Sequence, residues 1–250
     1  MKLNHKSNIQ IHLILIGMSL FAWILLFGSY GDALMSAHPH GHHMEHMPVK
    51  TFSWLSALTG WGIMVVAMMF PKIIVPIRII VLRSLRGKSL PCSFLFTLGY
   101  LFIWLLTGFF ILSTVRLVND FSFQSHWVAI TGLLVTLTWQ FSPLKQRFLN
   151  RGQQHITLSA FGWASYRDAL HYGLSHGVWC IGSGWALMLY PMLLPQGHMP
   201  AMLVATFIMV SEHLENPRFP AWRIDFRLKL LRILLVQTKS VFKPKPSQNQ

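Results

Sequence analysis

Residues 9–28 read IQIHLILIGMSLFAWILLFG, twenty positions without an Asp, Glu, Lys or Arg. A helix rises ~1.5 Å per residue, so this run is long enough to cross the ~30 Å hydrocarbon core of a bilayer. Only 11% of the chain is charged, whereas a soluble domain carries about a quarter. We therefore predict an all-α integral membrane protein, a six-transmembrane-helix bundle. Its spans are predicted near residues 9–30, 52–71, 91–114, 126–143, 172–194 and 199–214.

The basic residues fall on one side of this predicted bundle. With the N-terminus inside, every Lys and Arg except Lys50 and Arg116 lies in a predicted cytoplasmic segment, as the positive-inside rule requires. The formal net charge of +14 is thereby explained by topology, and we expect membrane lipid and no nucleic acid as a partner. The pattern predicts a multi-pass protein of the bacterial inner (plasma) membrane. Both termini are then cytoplasmic, and a loop over residues 31–51 is periplasmic.

Two basic, apolar segments are predicted to lie on the membrane surface as amphipathic helices. The first follows span two over residues 71–91, and the second begins the C-terminal tail. The tail then becomes rich in Pro and Lys, a composition typical of disorder. We thus divide the chain into a six-span membrane domain, residues 1–217, and a cytoplasmic tail, residues 218–250, whose end is disordered.

The first apolar run also has features of a signal peptide. Lys2 and Lys6 precede it, and LMSA before His38 weakly resembles a cleavage site. The run is longer than the ~7–15 residues of a signal peptide's apolar region, so we favour an uncleaved first span. If it is cleaved, the mature chain begins at or near the histidines.

The predicted periplasmic loop contains HPHGHHMEHM, residues 38–47, with five histidines and two methionines. Imidazole and thioether ligands suit borderline and soft metals, copper above all. Pro39 and Gly41 oppose regular structure, so the loop should collect ions rather than retain them. A solvated loop with weak zinc or nickel affinity is the alternative. The candidate outer ligands are His38, His40, His42, His43 and His46.

Several spans carry unusual residues at matched depth near the predicted cytoplasmic boundary. Met64 and Met68 are four residues apart with Met69 beside them, and His176 and Cys180 are again four apart. Helix rise places Met68 and His176 ~6 Å inside that boundary and Met64 and Cys180 ~12 Å inside. Such donors suit copper(I), which prefers thiolate and thioether. The candidate inner site is Met64, Met68, His176, Cys180, Met188 and Glu212.

Each of these features also has a packing interpretation. Methionines at helical spacing are common core residues. Gly173 and Gly177 form a small-xxx-small pair, and Gly184 would add a further close approach, so span five could simply be a tightly packed helix. Glu212 lies close enough to the boundary to be a structural partner for Lys145. Both interpretations stay open at the level of sequence.

The sequence gives no positive indication of an enzyme. It contains no HExxH, no Walker motif and no Gly-Ser elbow. Asp168 and His171 could pair at the start of span five, but no nucleophile is evident. The two cysteines, Cys92 and Cys180, lie in apolar surroundings, which argues against a disulfide framework.

Five motifs carry a resemblance to a known family: WGIMVVAMMFP, FSPLK, HGVWCIGSGWALM, GHMP and SEHLENP. In order and spacing, from about Trp61 to Pro217, they resemble a bacterial family of predicted metal-binding integral membrane proteins, some labelled copper chaperones. Its members commonly have further cysteines where this chain has Ser183 and Gly184. That departure leaves Cys180 as the only thiol of the layer.

Residues and resemblance together predict an inner-membrane metal-binding protein that handles copper, as a chaperone, in delivery or in homeostasis. A copper ion is then the bound species, and the partner is a periplasmic metalloprotein or membrane enzyme that receives it. The alternative is a membrane scaffold or assembly factor for partner subunits, with the sulfur residues as packing.

Overall fold

In the computed structural model the described part of the chain is helical and contains no strand, which confirms the all-α prediction. The structure describes residues 5–36, 53–85, 87–120, 125–154, 158–159, 162–194, 196–222 and 229–241. The helices within these ranges are α1 (His5–Ser36), α2 (Trp54–Arg83), α3 (Ser89–Asp120), α4 (Ser125–Gln140), α5 (Pro143–Gly152), α6 (Ala164–Leu193), α7 (His198–His213) and α8 (Lys229–Val241).

Three of the described helices are long and apolar enough to cross a membrane: Gln10–Ser29, Trp54–Arg83 and Ser89–Val118. A fourth candidate is the pair His126–Gln140 and Pro143–Gly152, which is bent by 63°. Helices α1, α3 and α4 also leave many large apolar side chains exposed, as a surface facing lipid does. These features suggest membrane association. Length and composition support three spans, or four with the bent pair, and do not confirm six.

Helix α2 differs from the sequence prediction in its second half. It continues without a break through Pro71 and Pro76 to Arg83, although proline removes a backbone donor and usually ends a helix. Lys72 and Ile80 on this half are buried at 3% and 0% exposure. The prediction of a separate surface helix after span two is therefore wrong. Neighbouring helices in a bundle support a proline-containing helix that would not persist alone.

The bend between α4 and α5 has a local cause in the sequence. Ser142 caps α5 by accepting a hydrogen bond from the Lys145 backbone N–H at 3.1 Å, and Pro143 occupies the first turn. Both residue types favour a new helix start. The sequence predicts a cytoplasmic segment after residue 143, and helix α5 is an addition that the structure makes to it.

Helix α8 begins the predicted amphipathic tail, mixing leucines with Lys229 and Arg232. It packs on the end of α7, where the Leu230 N–H donates to Ser211 Oγ at 3.1 Å. The segments on either side of it, 223–228 and 242–250, lie outside the described residues.

Helix α6 packs directly against the backbone of α3. A Cβ at Gly173 would lie 2.1 Å from the Phe96 carbonyl oxygen, and one at Gly99 would lie 2.9 Å from the Leu170 carbonyl oxygen. A Cβ at Gly177 would lie 3.1 Å from that of Ile103. The predicted small-residue packing is thus confirmed, and its partner is α3.

We predict that Gly173→Ala destabilises the fold, because its methyl group would meet backbone that cannot rotate away. Overpacking of this kind costs ~1–3 kcal/mol. Thermal unfolding of the purified protein in detergent, followed by circular dichroism, measures the change. Gly60→Ala is the matched control, since a Cβ there meets nothing within 4 Å and alanine favours a helix by about 0.5 kcal/mol or more. Equal melting of the two variants would contradict the assigned α3–α6 contact.

Candidate metal centre

Cys180 lies at the meeting point of three helices and is only 4% exposed. Its Sγ is 3.2 Å from Lys72 Nζ, which donates a hydrogen bond to it, and 3.2 Å from the Tyr100 hydroxyl. Its third polar contact is with Met69 Sδ, at 4.0 Å. Helix α2 thus supplies a cation and a thioether to this thiol, and α3 supplies a phenol.

A second thioether, that of Met209 on α7, lies next to Gly184, which is one helical turn beyond Cys180 on α6. Met209 Sδ is 3.1 Å from the position a Cβ would take at Gly184, and Met69 Cε is 3.8 Å from the same point. The missing side chain at Gly184 therefore leaves space that Met69 and Met209 occupy. Thioether side chains from α2 and α7 thus meet at Gly184, one turn along α6 from Cys180.

The spacing and type of these donors fit a soft metal ion. Metal–thiolate bonds are ~2.3 Å long, so two sulfur atoms in a trigonal site lie roughly 4.0 Å apart. Cys180 Sγ and Met69 Sδ lie 4.0 Å apart, a separation at which the Cys180 thiol also donates a hydrogen bond to Met69. Across the described ranges, no group of three or more His, Cys, Asp or Glu could hold a metal ion. Copper(I) is the biological metal that accepts them most readily.

Lys72 adds a positive charge to this region. The thiolate is the form of cysteine that binds metals, and its negative charge would be the natural counter-charge for a buried ammonium. Any metal cation that binds Cys180 Sγ must compete with Lys72 for the same sulfur.

His176 lies one turn before Cys180, among three aromatic rings of α3 and α6. Its ring centroid is 5.9 Å from those of Phe96 and Tyr100 and 6.0 Å from that of Tyr172. The His213 ring approaches it edge-on with a centroid separation of 6.4 Å. A narrow cavity is lined by His176, Cys180 and His213 together, so the predicted His–Cys pair does share one site.

Glu212 has a different environment. Both of its carboxylate oxygens contact Lys145 Nζ, at 2.8 and 2.9 Å, with side-chain exposures of 2% and 1%. The Gln140 amide donates to the same carboxylate and accepts from Lys145. Glu212 is therefore the structural partner of Lys145, which the sequence offers as the alternative to a metal ligand. Through this ion pair Glu212 joins α7 to the α4–α5 bend.

The other predicted ligands are placed as follows. Met64, Met68 and Met188 are buried in the core at 4%, 0% and 0% exposure, but the sulfur contact of Cys180 is made by Met69. Asp168 accepts hydrogen bonds from the Ser159 hydroxyl and backbone N–H, which lower the pKa of its carboxyl group. The five candidate outer histidines lie outside the described residues.

Sequence reasoning missed five residues of this region, and for different reasons. Lys72 is assigned by the sequence to a surface helix, because Pro71 suggests that span two ends there. Met69 is placed correctly in span two, but beside the candidate ligands rather than among them. Tyr100, Met209 and His213 carry no motif of their own. Pro71 and Pro76 both disfavour a helix, so the local sequence argues against the continuation of α2 that the structure shows.

Comparison with known proteins identifies the family. The model of the PpoB2 family, described as copper chaperone, matches residues 58–223, about two thirds of the chain. The chain belongs to this copper chaperone family. The match runs from the first turns of α2 to beyond α7 and includes Cys180, Met69 and Met209. No curated protein and no solved structure matches the chain.

We predict that Glu212→Gln and Lys145→Met each destabilise the protein strongly, because each leaves the other residue buried without its counter-charge. Such losses cost about 3–5 kcal/mol. The double variant should be less destabilised than the sum of the single variants, since no unpaired charge remains. Chemical denaturation in detergent gives the coupling free energy. If the free-energy changes of the two single variants sum to that of the double variant, the Lys145–Glu212 interaction has no coupling free energy.

Proposed function

We propose that this protein is an inner-membrane copper(I)-handling protein whose inner site is formed by Cys180, Met69 and Met209, with His176 at its edge. The observation that carries the proposal is the 4.0 Å contact between Cys180 Sγ and Met69 Sδ, next to the gap at Gly184 that admits Met209. The family's description as copper chaperone supports the choice of metal.

The proposed ligands are a revision of those expected from sequence. Met64, Met68 and Met188 become core residues around the site, and Glu212 becomes the partner of Lys145. One thiolate with thioethers selects a monovalent soft ion, because zinc and other borderline divalent ions favour nitrogen and additional anionic ligands. Copper is the cargo, and the buried centre keeps it from water.

For the membrane arrangement we propose six spans with both termini in the cytoplasm. The distribution of Lys and Arg outside α2 supports it. The shorter α7 would cross with the help of its neighbours, because mismatched helices are accommodated by tilt and local thinning. The histidine loop is then periplasmic and collects ions. A periplasmic metalloprotein or membrane enzyme is the proposed recipient.

We expect Cys180→Ser and Met69→Leu to weaken copper(I) binding by more than about 10-fold, the size of effect common for losses at metal sites. Competition of the purified, reduced protein with a chromophoric copper(I) chelator under anaerobic conditions measures the affinity. Met202→Leu is the matched control, because Met202 is a fully buried methionine on α7 two turns from Met209.

The folded state of each variant is checked by its melting temperature. Unchanged affinity in a folded Cys180→Ser protein would refute the inner site. Absence of stoichiometric copper(I) in the parent protein would instead favour the scaffold or assembly role.

The six-span topology predicts the behaviour of reporter fusions. A reporter that is active only in the periplasm should function when fused near Gly41 or Gly197. It should fail near Arg86, Gln153 or Gln248, which the charge distribution assigns to the cytoplasm. Cells expressing each fusion at matched levels provide the assay. Activity of the reporter fused near Gln248 would place the C-terminus in the periplasm and contradict an even number of spans.

A further inference from the structure

An open apolar groove lies at the surface of the bundle where α4 bends into α5. One side of it is a face of α4, from Thr131 through Thr138 to Trp139, and it ends at Pro143 and Leu144 on α5. Its volume is about 530 Å³, within the ~300–1,000 Å³ of ligand pockets. Among the described residues that line it, none is charged. The groove therefore suits a hydrocarbon group.

Packing and hydrogen bonds hold the walls of this groove in place. Trp139 Nε1 donates to a backbone carbonyl of α6 at 3.0 Å, and the Trp185 ring packs against Trp139 with centroids 5.2 Å apart. A further wall is Trp222, which is 65% exposed and belongs to the segment after α7. Two hydrogen bonds between the Asn150 side chain on α5 and the Arg218 backbone, at 2.7 and 3.2 Å, tie this segment to α5. The groove is therefore a preformed feature of the fold.

The depth of the groove matches one leaflet of a membrane. At 1.5 Å per residue, Thr131 to Trp139 covers ~12 Å along α4, and half of a ~30 Å hydrocarbon core is ~15 Å. In the proposed topology the α4–α5 bend lies at the cytoplasmic boundary, so the groove runs from there toward the bilayer centre. A partner helix that crosses both leaflets is about 30 Å long, and the groove covers less than half of that length. An acyl chain of one leaflet fits it better.

Basic charge lies at the end of the groove where a lipid headgroup would be. Helix α5 carries three basic residues and no acidic one. Arg147 is exposed and lies four and three positions after Pro143 and Leu144, hence on the same helix face one turn further. The other two, Lys145 and Arg151, contact a carboxylate and a tryptophan ring. Arg147 is therefore the cation that an anionic headgroup at this end would meet.

From these features we propose that the groove binds one acyl chain of an anionic phospholipid of the cytoplasmic leaflet, with the lipid phosphate at Arg147. Trp222 supplies an apolar ring with an N–H group at headgroup level, as tryptophans at membrane interfaces do. The bound lipid contacts α4, α5 and the segment after α7, and so stabilises the bend. This inference goes beyond copper handling. It depends on the proposed placement of α4 in the membrane and not on the copper site.

The first arm of the test concerns the headgroup. Native mass spectrometry of the purified full-length protein, titrated with phosphatidylglycerol or with phosphatidylcholine of the same acyl chains, measures the affinity of the first bound lipid. We expect a preference of about 5-fold for phosphatidylglycerol, the effect of one arginine near a membrane surface. Arg147→Gln should remove this preference. Arg167→Gln is the matched control and should retain it, because Arg167 is a 75% exposed arginine on α6 that does not line the groove.

The second arm concerns the acyl chain. Thr138 and Leu137 are neighbouring exposed residues of α4, and Thr138 lines the groove whereas Leu137 does not. Thr138→Trp should weaken the binding of both lipids by about 10-fold, since overpacking an occupied site costs a free energy of this size. Leu137→Trp adds a ring of the same size to the same helix and should leave the affinity unchanged. Melting temperatures report whether each variant is folded.

Each result decides a different part of the proposal. Equal lipid affinities in Thr138→Trp and Leu137→Trp, whether high or low, would refute the groove as the binding site. A retained preference for phosphatidylglycerol in Arg147→Gln would refute the headgroup contact, and this comparison remains decisive if Thr138→Trp does not fold. A second polypeptide that co-purifies with the parent at a fixed ratio and is lost from Thr138→Trp would show that a partner helix occupies the groove instead of a lipid. No measurement here uses copper, so failure of the proposed function is distinguished from failure of the lipid site.

Discussion

The absence of a side chain at Gly173 sets the position of the whole centre. At that point α6 touches the Phe96 carbonyl of α3 so closely that a methyl group would lie 2.1 Å from the oxygen. Two turns further along α6, the same closeness brings Cys180 to within 3.2 Å of the Tyr100 hydroxyl. In a membrane the hydrophobic effect does not drive helices together, so close backbone packing of small residues has to supply the association. The site therefore depends on glycines that carry no chemistry.

Buried charge imposes the second constraint, and the protein meets it in two different ways. Lys145 and Glu212 neutralise one another with two contacts below 3 Å, and the pair is further bonded by Gln140. Lys72 is equally buried but donates to a sulfur atom. The Lys145–Glu212 ion pair stabilises the bend between α4 and α5. The Lys72 side chain, by contrast, is hydrogen-bonded to the Cys180 sulfur and can be displaced from it. The first charge network serves the fold, and the second belongs to the proposed site.

The parts of the structure that could be predicted from sequence are those governed by local pattern. The all-helical fold, the close packing at Gly173 and Gly177, and the shared site of His176 and Cys180 all follow from apolar length and from spacing along one helix. The continuation of α2 past Pro71 could not be derived, because its stability comes from neighbouring helices rather than from its own residues. Whether Met69 or Met68 contacts Cys180 also depends on the rotation of α2 against α6. Adjacent residues point ~100° apart on a helix, so a small rotation decides which sulfur meets Cys180.

The position of Lys72 bears on how tightly a copper centre of this kind can hold its ion. In the proposed site, copper(I) at Cys180 Sγ would take the place of the hydrogen bond that Lys72 Nζ donates to this sulfur atom. Lys72 is 3% exposed, and a buried polar group that loses its partner costs free energy. Copper(I) would therefore bind more weakly there than at the same sulfur atoms without the lysine, and the return of Lys72 to Cys180 would favour release of the ion to a recipient.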